Sequence, residues 1–125
     1  MEQKIKYRNA KGISTSILKD GESGSLFWSI EGKNLQFTWF DVPPKTNFKG
    51  HYHLSEQATF VIEGVLFFES ENTVYKLSQG DCILIPGNVG HRVWTEDMPA
   101  KAIDAWSPVN KKYSIQQNKK YSHEK

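Results

Sequence analysis

The chain lacks the features that would place it in several large protein classes. It has one cysteine, Cys82, in 125 residues, so an internal disulfide framework is excluded and a reducing compartment is expected. No apolar run approaches the ~20 residues that a helix needs to cross a bilayer. The opening stretch, Met1-Glu2-Gln3-Lys4-Ile5-Lys6, begins with charge and has no apolar segment of the kind a signal peptide carries. An excess of one charge is also missing. Sixteen Lys and Arg against fourteen Asp and Glu leave +2, which supplies no whole-chain argument for nucleic acid. No window of about 12 residues keeps a helical apolar stripe, and there is no Ser-His-Asp order, CxxC pair or phosphate loop. With 38% apolar and 24% charged residues the composition is not that of a disordered chain. A soluble, cytoplasmic single domain is expected, with no membrane and no nucleic-acid partner.

Aromatic residues are plentiful: seven Phe, five Tyr and four Trp, set in short alternating runs. Leu35, Phe37 and Trp39 share one face of a strand, with Gln36 and Thr38 on the other. Further strands are expected at Ser25–Glu31, Ala58–Glu63, Val65–Glu69, Thr73–Leu77, Cys82–Ile85, Val89–Trp94 and Ala102–Trp106. Turn-forming clusters separate them, among them Glu63-Gly64, Glu71-Asn72, Gln79-Gly80-Asp81 and Pro86-Gly87-Asn88. Many short strands at this spacing predict an all-β, antiparallel sandwich or barrel. Within it, Cys82 is expected to be a small buried hydrophobe, and Arg92 to point outward into a surface ion pair. The polar first ten or so residues are expected as an edge strand or an arm.

The chain divides into a barrel over residues 1–109 and a basic tail over 110–125. The tail repeats itself: Asn110-Lys111-Lys112-Tyr113-Ser114-Ile115-Gln116-Gln117 is followed by Asn118-Lys119-Lys120-Tyr121-Ser122. It holds five Lys and one Glu, a charge of +4 that leaves −2 for the barrel. With no basic counterpart elsewhere, a solvated tail is the expectation.

Three of the four His residues form a suggestive set. His51 and His53 sit one residue apart on a predicted strand, so their rings leave the same face. Gln57 follows four positions later, and His91 comes just after the Pro86–Gly90 turn. Imidazole is the commonest protein ligand for first-row transition metals. Two on one pleat and a third from a facing strand can hold an ion and leave positions open for substrate. Asp104 and Trp106 also share a strand face by their spacing. A carboxylate inside an apolar barrel has its pKa raised by desolvation and lowered by a metal, which suits a general acid or base.

The segment Gly50-His51-Tyr52-His53-Leu54-Ser55-Glu56-Gln57, with Gly64 beyond it, resembles the first cupin motif. Gly80-Asp81-Cys82-Ile83-Leu84-Ile85-Pro86, with Asn88 and His91, resembles the second. The likeness spans roughly residues 35–106 and implies a jelly-roll β-barrel. It implies His51, His53, Gln57 and His91 as ligands of one divalent transition metal (Mn, Fe, Co, Ni, Cu or Zn). Gln57 stands where the motif usually has Glu, and Asn88 where it often has Gly; Asn tolerates the left-handed turn conformation. Neutral ligands leave the ion's charge uncompensated, making it a stronger Lewis acid that is less firmly held.

His53–Gln57 and Asp104-Ala105-Trp106-Ser107-Pro108 further resemble the pectin-degradation cupins, which ketonise unsaturated uronates. The resemblance implies Asp104 as catalytic proton donor or acceptor and Trp106 as a substrate platform. Where that family tends to have Arg this chain has Asn110, with Lys111 and Lys112 next to it. Thr59, two residues after Gln57, would line the pocket and touch substrate. The leading expectation is a metal-dependent isomerase, tautomerase or lyase acting on a small, anionic, oxygen-rich acid. A non-catalytic sugar-binding cupin, with sugar on Trp106 or Trp39, and a ferrous dioxygenase stand beside it. A homodimer is expected, since sheet edges and the aromatic N-terminal strands need cover.

Overall fold

Alternation of side chains along short strands organises the computed structural model, which describes residues 5–7, 24–114 and 122–123. Among the described residues eleven strands run in chain order: β1 (Lys6–Tyr7), β2 (Leu26–Glu31), β3 (Gln36–Val42), β4 (Asn47–His51), β5 (Glu56–Gly64), β6 (Leu66–Ser70), β7 (Thr73–Leu77), β8 (Cys82–Ile85), β9 (His91–Trp94), β10 (Ala100–Ser107) and β11 (Ser122–His123). The described residues contain no α-helix; a single 3-10 turn covers Lys111–Tyr113. All pairings are antiparallel. A five-stranded sheet, β2-β3-β10-β5-β8, faces a four-stranded sheet, β4-β9-β6-β7. This is the expected jelly roll. Lys6–Tyr7 of the opening stretch pairs with β11. The rest of the polar opening stretch, and the second tail repeat before Ser122, lie outside the described residues.

Two apolar clusters fill the space between the sheets. Phe27, Phe40, Val42, Phe48, Trp106 and Tyr113 form one; Val61, Leu66, Phe68, Leu77, Ile85, Ala100 and Ala102 form the other. Full burial of each large side chain is worth ~1.5–3 kcal/mol, so the two clusters hold the sheets together. Gly64 closes the β5–β6 turn at φ 85°. A Cβ there would collide with the Pro99 carbonyl oxygen, so glycine serves both the turn and the close approach.

Two strands face a way that their composition does not announce. At the start of β3 the polar residues face inward: Leu35, just before the strand, is 55% and Phe37 47% exposed, whereas Gln36 and Thr38 are fully buried on the same face as the core residues Phe40 and Val42. The inward polar row is satisfied internally. The Ser29 and Thr38 hydroxyls lie 2.7 Å apart, Gln36 donates to Ser29, and the indole N–H of Trp106 donates to Thr38 Oγ1 at 2.9 Å. In β8, Cys82 is exposed rather than buried. Its register partner is Phe60 of β5, itself outward and 43% exposed, and pairing puts opposed residues on the same face. Arg92 does form the outward ion pair, donating to Glu69 at 2.7 Å.

The described part of the first tail repeat, residues 110–114, is built into the fold. Asn110 caps the 3-10 turn, its side chain accepting from the Lys112 N–H, and its own backbone N–H donates to Gln36 Oε1 at 2.8 Å. Tyr113 is thereby set into the core, 7% exposed.

Candidate metal centre and proton-transfer site

The histidines are brought together by strand register. β4 and β9 pair so that His51 lies directly opposite His91. His53 stands beyond the end of β4, in the loop before β5, rather than on the strand that its spacing predicts. It is held there by the turn after β8, where the Asn88 N–H donates to the His53 carbonyl at 2.7 Å. Asn88 takes φ 64°, the left-handed conformation that Asn tolerates. The three rings end up with centroids 4.4–5.4 Å apart, and each offers one ligand nitrogen, all within 4.8 Å of one another.

Backbone carbonyls set the tautomers. The Nδ1 atoms lie 2.7 Å from Lys49 O in His51, 2.9 Å from Ser55 O in His53 and 2.9 Å from Val89 O in His91. A carbonyl only accepts, so each Nδ1 carries a proton, and in the neutral ring each Nε2 presents a lone pair. His91 Nε2 is buried with no hydrogen-bond partner among the described residues. His53 Nε2 faces Gln57 Oε1 at 3.0 Å, an acceptor opposite an acceptor when the ring is neutral. Burial lowers the pKa of His91 from 6.5 to about 4, with His51 and His53 adding to the shift and the Val89 bond opposing it. His51 is also lowered, chiefly by burial; the Lys49 bond opposes this, and His53 and the Lys112 charge add to it. Neutral imidazoles with converging lone pairs and an amide oxygen fit a divalent transition metal ion.

Beside this group lies a buried carboxyl. Asp104 is 6% exposed at the centre of β10, opposite Thr59 of β5 and Thr38 of β3. Its Oδ1 accepts from the Thr59 hydroxyl at 2.6 Å, while Gln57 Nε2 donates to Thr59 Oγ1 at 2.9 Å and approaches Asp104 Oδ2 at 3.5 Å. Desolvation raises the Asp104 pKa from 3.8 to about 7, against the opposing Thr59 bond. His51, His91, Gln57, Thr59, Asp104 and Trp106 line one cavity of about 50 Å³, room for a few water molecules. Glu56, the acidic neighbour of Gln57, points outward and is exposed.

Trp106 is 3% exposed. One side of its indole meets His53 edge to face at 5.3 Å, and Tyr113 stacks on it at 5.4 Å and 24°. Sequence reasoning missed Tyr113. An aromatic inside each copy of an otherwise basic, polar repeat was the available signal. Sequence reasoning also missed the three carbonyls that fix the imidazoles, for which side-chain identity gives no cue.

The cupin domain family model matches residues 38–106. Among solved structures, KdgF from Halomonas sp. superposes with a TM-score of 0.68 at 22% identity, covering 74% of this chain and 88% of its own. An RmlC-like cupin from Shewanella frigidimarina gives 0.77 at 18%, covering 91% and 100%. The polyketide cyclase RemF from Streptomyces resistomycificus gives 0.64 at 19%, covering 70% and 67%. No curated protein matches the chain. No helix among the described residues is long and apolar enough to cross a membrane. Jelly-roll topology, the converging His51, His53 and His91, and a family match across most of the barrel agree: the chain belongs to the cupin superfamily.

Proposed function

We propose that this cupin is a metal-dependent isomerase, tautomerase or lyase acting on a small oxygen-rich acid, such as an unsaturated uronate or a keto acid. One observation carries the reading: a buried carboxyl, Asp104, lines the same small cavity as His51, His91 and Gln57. His51, His53, Gln57 and His91 would hold the ion, which when bound supplies Lewis-acid polarisation of a substrate carbonyl or carboxylate. Asp104, with a pKa near 7, is matched to taking a proton from a carbon beside a carbonyl and returning it at a neighbouring position. The Trp106 ring, fixed through Thr38, would flank the substrate. Lys112 lies near enough to His51 to depress its pKa, and a cation at that position favours an anionic substrate. Resemblance to the pectin-degradation cupins in residues 53–57 and 104–108 supports the uronate class.

The test is turnover of unsaturated uronates by metal-loaded protein, followed by loss of conjugated-alkene absorbance, and of small keto acids, followed by proton NMR. Asp104→Asn should cut turnover by ~10²–10⁴-fold with metal content intact. Undiminished turnover removes Asp104 from the reaction. Saturable binding without product at any metal loading identifies a binding module, and oxygen consumption a dioxygenase.

The partner we propose is a second copy of the chain, packed on the outer face of the five-stranded sheet. Register aligns Ile30, Phe37, Ala105, Ala58 and Leu84 in one row and Trp39, Ile103, Phe60 and Cys82 in the next. Leu84 is 60% exposed. Five strands of about seven residues span about 24 Å by 23 Å in plan, roughly 550 Å² before side-chain relief is counted, the larger part of the ~800 Å² per subunit of a standard interface. Sedimentation equilibrium should give a dimer, and a monomer for Phe37→Glu/Leu84→Lys; a monomeric wild type overturns this.

A further inference from the structure

Gln57 can present either end of its amide, and the two ends have opposite consequences. With His53 Nδ1–H donating to Ser55 O, the neutral ring that a metal ligand must be turns its Nε2 lone pair toward Gln57. Left to itself, the amide would turn its NH₂ toward that lone pair and make an ordinary hydrogen bond. That orientation would cap His53 Nε2 with a proton donor and remove the amide oxygen from the site. The structure has the reverse: Oε1 faces His53 Nε2 at 3.0 Å, and Nε2 points away.

The reason lies on the other side of the amide. Thr59 Oγ1 accepts from Gln57 Nε2 at 2.9 Å, and its own proton goes to Asp104 Oδ1 at 2.6 Å. A hydroxyl has one proton to give. Because Asp104 takes that proton, what Thr59 offers Gln57 is a lone pair, which selects the NH₂ end. Asp104 Oδ2 lies 3.5 Å from the same NH₂, at the outer limit of a bond, so Thr59 is the effective acceptor. Thr59 is 1% and Gln57 4% exposed, so water does not readily replace either contact.

We infer that Thr59 is a positioning residue: its hydroxyl fixes the Gln57 amide with the oxygen toward the three imidazoles, holding the ligand in place before any ion arrives. This assigns Thr59 a task on the ligand set beyond contact with substrate, and it rests on the metal reading of His51, His53, Gln57 and His91. Outer partners of metal ligands commonly change metal affinity by ~10–100-fold.

The test is titration of the metal-free protein with Co(II) alone, read by calorimetry and by the visible ligand-field spectrum. Thr59→Val keeps the side-chain shape and removes the acceptor. It should weaken Co(II) binding by about ten-fold or more and alter the spectrum as the amide oxygen is lost. Thr59→Ser should restore both. In a Gln57→Glu background the Thr59→Val penalty should largely vanish, because a carboxylate presents oxygen from either end. Unchanged binding and spectrum in Thr59→Val overturn the inference and leave the metal reading standing. An equal penalty in the Gln57→Glu background also overturns it, since the loss would then be general damage to the site. Failure of the wild type to take up Co(II) overturns the metal reading and the inference with it.

Discussion

Tyr113 lies flat against Trp106, ring centroids 5.4 Å apart, while its edges meet Phe27 at 5.5 Å and Phe40 at 5.1 Å. A residue from the basic tail thus closes the aromatic cluster over the cavity. Tyr113→Ala should cost about 3–5 kcal/mol of stability, as other buried aromatic truncations do, and widen the cavity beside Trp106. Urea unfolding measures the first. Crystallography of the variant, or binding of a small aromatic probe, measures the second. An unchanged unfolding midpoint would mean that the ring adds nothing to the core.

His91 is the ligand candidate whose inward nitrogen has no described partner. Purified wild-type protein is expected to carry near-stoichiometric transition metal, and a His51→Ala/His91→Ala variant very little, by elemental analysis of samples prepared identically. Equal metal in the two would place the ion elsewhere. No metal in either, even after divalent ions are added back, would remove the centre altogether.

In metal-free protein the two buried groups push pH-dependence in opposite directions. Asp104 titrates at about 7 when folded against 3.8 for the free group. Between those values the folded chain holds the proton and the unfolded chain does not, so this group makes stability fall as pH rises. His91, at about 4 against 6.5, makes stability rise with pH between those values. Above pH ~6.5 only the Asp104 contribution of the two remains. Urea unfolding from pH 5 to 8 should therefore show wild type losing ground to Asp104→Asn, by an amount on the order of a few kcal/mol. A constant difference across that range would mean that burial does not hold the Asp104 proton.

Gln57→Glu adds a negative charge beside His53. Metal should be retained more tightly, and anionic ligands should bind more weakly, because the carboxylate offsets charge that otherwise attracts them. Dialysis against a chelator tests the first and calorimetry with a simple carboxylate the second. The opposite pair of results would contradict the charge argument.

Much of this was legible in the residues. Alternation located most of the strands between Ser25 and Trp106, and Thr73–Leu77 and Cys82–Ile85 to the residue. The spacing of His51, His53 and His91 marked three side chains that do converge. What escaped depends on pairing. Period-2 alternation separates the faces of a strand but does not say which is inward. In β3 the inward face is the one that buries Phe40 and Val42, and it takes Gln36 and Thr38 inside with them, where Thr38 accepts from the Trp106 indole N–H of neighbouring β10. Cys82 reads as apolar in isolation and is outward because it pairs with Phe60. Tyr113 was hidden by its neighbours, since charge density identifies a tail and says nothing of one ring anchored by Asn110 and Gln36.

The placement of His51 opposite His91 would make a bound ion a gauge of strand alignment. A slip of one residue between β4 and β9 would turn one imidazole to the far side of its sheet and leave no three-nitrogen cluster to bind. Ligation and correct alignment are therefore linked equilibria: an ion that binds only the aligned form stabilises it by RT ln(1 + [M]/Kd). A metal titration of any variant is thus also an assay of how faithfully the two strands have found each other, and it can register misalignment in chains whose overall β content looks normal.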